Sequence, residues 1–225
     1  MATPRYLAGA RFALIRIFLE RGEIKQALSK LALLEELAEF KEIPRIQIYY
    51  LLANGLIKLE KHNLGLAEEY CSKAIALASE VVEIDMQLTA MQILLQLYLR
   101  LYQLSKDPTF NTKIKGLIKQ IEELSSNAGF HTFHIATQLT KAYLLQTQFD
   151  LPGAIEQFKF AEQMARYHGF LPSEKRAREA RSQINDQMVM FQRLQEHSPQ
   201  LYKQAKLDDM MDYLKNIQKF LDSDS

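Results

Sequence analysis

Four stretches of the chain carry the same ladder of small or apolar residues, at intervals of four, three and three. They are Ala27, Leu31, Leu34 and Leu37; Ala67, Cys71, Ala74 and Leu77; Ile114, Ile118, Ile121 and Leu124; and Ala154, Phe158, Ala161 and Met164. That spacing is one stripe of a helix with about 3.6 residues per turn. The last rungs, Leu37, Leu77, Leu124 and Met164, stand 40, 47 and 40 residues apart. Two of the helices also end alike, in Asn127-Ala128-Gly129-Phe130 and Tyr167-His168-Gly169-Phe170. A period of about 40 residues with two helices per unit marks a chain that stacks helical hairpins side by side, an α-solenoid. The longer third unit is expected to carry its extra residues around Lys106–Thr112.

Turn chemistry between the ladders divides the chain into about ten helices, over 4–20, 24–40, 44–60, 64–82, 84–104, 110–127, 131–147, 151–168, 172–196 and 199–221. Ser198 before Pro199 reads as an N-cap followed by a first-turn proline. Composition agrees: the chain has 8 Gly and 6 Pro in 225 residues, and valine stands only at Val81, Val82 and Val189. A β-sheet would draw far more on β-branched residues. The expected fold is therefore all-α.

Several function classes fall away on composition. Lys and Arg total 28 against 27 Asp and Glu, so the basic excess that phosphate neutralisation demands is absent and nucleic acid is not an expected partner. A single cysteine, Cys71, forms no internal disulfide and no multi-cysteine metal site. The most apolar stretches, Ile48–Ile57 and Met91–Leu104, are interrupted by Asn54 or by Gln92, Gln96 and Arg100, so no membrane span is expected. The first residues lack the basic-then-apolar pattern of a secretory signal, and a cytoplasmic location is the default expectation.

At the turns, Gly22-Glu23-Ile24 precedes Ala27, His62-Asn63-Leu64 precedes Ala67, and Phe149-Asp150-Leu151 precedes Ala154. Gly55 and Ala142 stand eight residues ahead of Asn63 and Asp150, where close helix crossings need small side chains. These features resemble the tetratricopeptide repeat over about residues 8–170, best in the second and fourth units and least in the third, where Ile114 replaces the small residue. The unit is longer than the family's usual one of about 34 residues. It is more similar to the helical arrays of MalT-type regulators and of archaeal and bacterial signalling proteins. HEAT and armadillo arrays share the longer period and remain the alternative. The resemblance implies a right-handed α-solenoid of about five antiparallel helix pairs. Residues 1–170 would form four pairs, and 171–225 a C-terminal capping pair of the same domain.

The last two expected helices depart from the ladder. Ala177, Ala180, Ile184, Met188, Phe191 and Leu194 give the ninth an apolar stripe, with Lys175, Arg176, Arg178, Glu179 and Arg181 over its other face. The tenth offers Leu201, Met210, Met211, Leu214, Ile217 and Leu221. A repeat array needs an atypical end unit, and a Met-rich stripe also suits a homodimer contact through the C-terminal helices.

Sites of chemistry do not assemble. His131 and His134 share a face, but no third or fourth ligand follows at a metal-binding spacing. Nucleophile elbow, phosphate loop and His-Glu-x-x-His patterns are missing. Neither catalysis, a metal nor a cofactor is expected. Adjacent acids such as Glu68-Glu69 and Glu122-Glu123 diverge by about 100° on a helix and read as solvated faces. Arg5, Arg11, Arg16 and Arg21 of the first helix read likewise.

The resemblance also implies that the first helix of each pair lines a concave surface. On those helices the candidate groove residues are Phe12, Arg16, Tyr49, Leu56, Gln92, Gln96, Arg100, Gln138, Tyr143 and Gln146. Amide and guanidinium donors beside aromatics suit an extended peptide or a partner helix. The Lys and Asn pattern of a carboxylate clamp is not present, Asn54 standing one position away. The expected function is a protein-interaction scaffold or sensory module whose partner is a protein or peptide. A regulatory domain that controls a transcription factor or signalling kinase is the alternative, and an enzyme with an unadvertised site a distant third.

Overall fold

The computed structural model describes residues 3–38 and 43–197. Among them are nine helices and no strand: α1 (Pro4–Glu20), α2 (Ile24–Ala38), α3 (Pro44–Glu60), α4 (Leu64–Glu80), α5 (Ile84–Ser105), α6 (Pro108–Ala128), α7 (His131–Thr147), α8 (Leu151–Tyr167) and α9 (Leu171–His197). No helix in this part is long and apolar enough to cross a membrane. The expected tenth helix over 199–221, its capping role and the Ser198-Pro199 start lie outside the described residues, as do the side chains of Phe191 and Leu194.

Five of the helices, α1, α3, α4, α7 and α8, are 17 residues long. Six of the seven turns closed by a left-handed residue, those at Gly22, His62, Val82, Gly129, Phe149 and Gly169 but not the one at Lys106, are alike. Each uses one hydrogen-bond pattern. The residue after the left-handed one donates its N–H back five residues, as in Glu23 to Phe18, Asn63 to Lys58, Glu83 to Ala78, Phe130 to Ser125, Asp150 to Leu145 and Phe170 to Ala165, at 2.8–3.0 Å. This is the 6→1 bond that satisfies the carbonyls at a helix end. Because the same turn occurs within and between hairpins, the structural unit is one helix plus one turn, half the sequence period.

The third unit departs from the expectation. Its extra residues do not form a loop at Lys106–Thr112 but lengthen α5 to 22 and α6 to 21 residues. Asp107 caps α6, accepting the Thr109 N–H at 2.8 Å, so the helix begins at Pro108 and not at residue 110. At α4 the helix stops at Glu80, two residues early, because Val82 turns to φ 58°.

Packing follows the chain. Each odd-numbered helix touches the next odd-numbered one, and each even-numbered helix lies against the odd helices before and after it; even helices do not touch one another among the described residues. The ladders face this joint. Ala27, Leu34, Ala67, Cys71, Ala74, Ile114, Ile118, Ile121, Ala154, Phe158 and Ala161 are all buried. The last rung differs from the sequence reading: Leu77, Leu124 and Met164 are half-buried, and Ala78, Ser125 and Ala165, one residue later, are buried instead. Eleven residues bring a helix back to its starting face more closely than ten.

Where α3 crosses α4, a Cβ on Gly55 would lie 2.8 Å from Cys71 Sγ. On α7 and α8, Ala142 stands at the Gly55 place and Phe158 at the Cys71 place, both fully buried. Burial, with a smaller effect of the neighbouring Glu68 charge, pushes the Cys71 thiol up to about 12, so it is a core group and not a nucleophile.

Two stability outcomes follow. Val82 is β-branched at a positive φ, which costs roughly 1–2 kcal/mol. Val82→Gly is therefore expected to raise the unfolding free energy by about 1 kcal/mol in urea denaturation. Gly55→Ala is expected to lower it by about 1–2 kcal/mol through overpacking. In a Cys71→Ala background that loss should shrink by at least about 0.5 kcal/mol, a coupling that a double-mutant cycle reads directly.

Candidate interaction groove

Arg16, Leu56, Gln96 and Tyr143 occupy one position of the repeat, 40, 40 and 47 residues apart on α1, α3, α5 and α7. All four line a single open cavity of about 610 Å³. Glu20, Glu60 and Arg100, one turn later on α1, α3 and α5, form its next row, with Leu19, Leu99, Gln103 and, from α9, Arg176 completing the lining. The five odd helices thus each present at least one side chain to the same space.

Charges in this wall are partly committed. Arg100 pairs with Glu60 at 3.0 Å and reaches the Leu59 carbonyl at 3.5 Å. Arg176 lies over the Tyr143 ring at 5.7 Å, and Tyr143 packs edge-on against Phe158 at 5.0 Å. Arg16 and Gln96 are exposed and have no side-chain polar partner among the described residues. A guanidinium from α1 and an amide from α5 therefore line the cavity without a polar partner among the described residues.

Other candidates sit elsewhere. Phe12 is buried and packs against Tyr49 with the rings tilted by 37° and their centres 5.4 Å apart. Its repeat equivalents Leu52 and Leu139 are buried too, so this position belongs inside the wall. Gln92, the fourth member of that set, donates to the Phe133 carbonyl at 3.2 Å and to Thr137 Oγ1 at 2.8 Å, tying α5 to α7. Gln103 does the same at the other end of α5, donating to Thr147 Oγ1 at 3.3 Å. Tyr49 lines a separate cavity with Arg5, Tyr6 and Arg45. Gln138 is buried on the even-helix side, donating to Glu122 and accepting from Gln157. Gln146 is half-buried and outside the cavity lining.

The sequence reading missed Leu19, Glu20, Glu60, Leu99 and Arg176. Glu20, Glu60 and Arg100 recur every 40 residues, and that register was the available signal; Arg176 breaks it and had none. The charged faces also need correction. Arg11 is half-buried and donates to the Leu33 carbonyl of α2, while Arg5 stays exposed and pairs with Glu83 at 3.3 Å, so two of the four first-helix arginines also tie α1 to other parts of the fold.

A second register is polar. Glu122 on α6 accepts from Gln138 and Lys141 of α7, at 2.8 and 2.6 Å. Forty residues later, Glu162 on α8 accepts from Arg178 and Arg181 of α9, at 3.2 and 2.8 Å, and also from Arg166. Arg178 and Arg181, on the face opposite the apolar stripe, hold α9 to α8, and buried Glu174 joins the same cluster through Arg166 and Arg178. On α4, Glu68 accepts from Tyr98 of α5 and Lys113 of α6. Burial works against ionisation of Glu122, but the bonds from Lys141 and Gln138 outweigh it and hold the carboxyl below its ordinary range. Glu68 is depressed in the same way by Tyr98 and Lys113. His131 stacks on His168 with centres 3.9 Å apart and does not pair with His134, and no group of metal-ligating side chains gathers among the described residues.

No protein-family model, curated protein or solved structure matches the chain.

A carboxyl depressed on folding stabilises the fold above its unfolded pKa of about 4.3, and that contribution is lost as pH falls below it. Glu122→Gln is expected to lower stability at pH 7 by about 1 kcal/mol. The gap to wild type should close as pH drops through about 4, in urea titrations at successive pH values.

Proposed function

We propose that this protein is a non-catalytic interaction module, a tetratricopeptide-like right-handed α-solenoid that receives an extended protein or peptide segment along its odd-helix wall. The observation that carries the reading is the shared register of Arg16, Leu56, Gln96 and Tyr143, which aligns donors, an aliphatic and an aromatic in one cavity of about 610 Å³. A groove of that kind supplies orientation through a few polar groups and affinity through the apolar surface between them. The lining offers guanidinium, carboxylate, amide, phenol and aliphatic groups, a mixture suited to holding a polypeptide.

Gln96→Ala combined with Arg16→Ala removes the two uncommitted donors and leaves the Arg100–Glu60 pair intact. Affinity capture with wild type and variant, read by mass spectrometry, is expected to recover a protein from wild type that the variant loses by about tenfold or more, with the melting temperature unchanged. Equal recovery by both proteins would remove the groove from consideration.

A further inference from the structure

The outward face of α1 has the form of an interior surface. Leu7, Ala10, Leu14 and Ile17 stand at intervals of three, four and three, and all four are exposed, Ile17 at 41%. Tyr6 and Ala13 extend the same face and are exposed as well. Their repeat equivalents are not. At the Ile17 position, Ile57, Leu97, Leu144 and Ile184 are buried. At the Leu14 position, Asn54 and Leu94 are buried and Lys141 and Arg181 half-buried; at the Ala10 position, Ala90, Thr137 and Ala177 are buried and Tyr50 half-buried. What covers them is the preceding even helix: Tyr50 bonds Glu35 of α2, Lys141 bonds Glu122 of α6, and Arg181 bonds Glu162 of α8. On α1 that place has no described occupant, and the face is apolar over three turns.

By its register α9 is an odd helix, and each earlier odd helix is followed by an even one that packs on it and on the next odd helix. Residues 198–225 follow α9 and lie outside the described residues. They are long enough for one helix-plus-turn unit, and apolar residues recur at Leu207, Met210, Leu214, Ile217 and Leu221.

We propose that the α1 face receives residues 198–225 of a second copy of this chain, so that copies associate head to tail and extend the helix array. A contact of this heterologous type grows into a ring or an open filament and does not stop at a symmetric pair. It uses Leu7, Ala10, Leu14 and Ile17, none of which lines the groove, so its failure would leave the groove reading untouched.

Sedimentation velocity on the full chain over a range of concentrations provides the test. Wild type is expected to show mass rising with concentration beyond that of a dimer. Ile17→Glu, on an exposed position, and Met210→Glu with Leu214→Glu are each expected to give a monomer whose helical circular dichroism matches wild type. An equimolar mixture of the two variants should form a one-to-one complex, because each retains the surface the other has lost. Should the tail variant fail to fold, a synthetic peptide of residues 199–225 takes its place, binding wild type at least tenfold more tightly than Ile17→Glu. Monomeric wild type at all concentrations would overturn the proposal. A variant mixture that stays monomeric, or a peptide that does not distinguish wild type from Ile17→Glu, would do so equally.

Discussion

The close seating of each even helix between two odd helices is the contact on which the architecture depends. It requires a ladder of small or flat residues at the joint, because helices approach within about 8–10 Å only where side chains leave room. Gly55 against Cys71 is the tightest instance, with no space for even a methyl group, and small Ala142 stands fully buried at the Gly55 place two helix pairs later. A joint of this kind has one good register. Once it is set, the odd helices lie side by side with equivalent turns level, and Arg16, Leu56, Gln96 and Tyr143 meet in one cavity without any direct contact between α1 and α7.

Phase along the chain is kept by the turn. A 17-residue helix and a left-handed turn return the chain after about twenty residues with the same face presented, and the six 6→1 bonds make this reproducible. The long third unit tests the rule. Its seven additional residues lengthen α5 and α6, yet Tyr143 and Ala142 still fall on the positions of Gln96 and Leu95, one unit earlier. Polar contacts obey the same phase: Glu122 and Glu162, each bonded to the residues sixteen and nineteen positions on, pin α7 and α9 to the helix before them. A buried carboxylate bonded in this way adds less to stability than its distances suggest, since desolvation offsets much of the attraction. Its effect is to disfavour a slipped register, which would leave the charge unpaired.

Most of the helix order was legible because the ladder residues are apolar and their spacing is a property of the sequence alone. Helix ends were read less well where the signal was conformational. Val82 gives no hint of a left-handed turn, and Pro108 was passed over although Asp107 is a good cap. Register alone was enough to place Arg16, Leu56, Gln96 and Tyr143 along one cavity. The groove was misread at Phe12, Gln92 and Gln138, where a residue one turn or one position away faces the interior and polarity was taken for exposure. Glu162 and its arginines were invisible for the opposite reason: a charge run looks solvated until the partner helix is in place.

Thiol protection in single-cysteine variants tests the seating of the helices most directly. With Cys71 replaced by Ala, cysteines placed one at a time at Ala74 and Ala161 on the ladders, and at Arg16 and Gln96 on the wall, are treated with a thiol reagent under native conditions. The account predicts that the wall positions react as fast as in urea, allowing for local pKa, whereas the ladder positions are protected by at least a hundredfold. Rapid labelling at Ala74 and Ala161 in a protein of native helicity, or protection at Arg16 and Gln96, would contradict it.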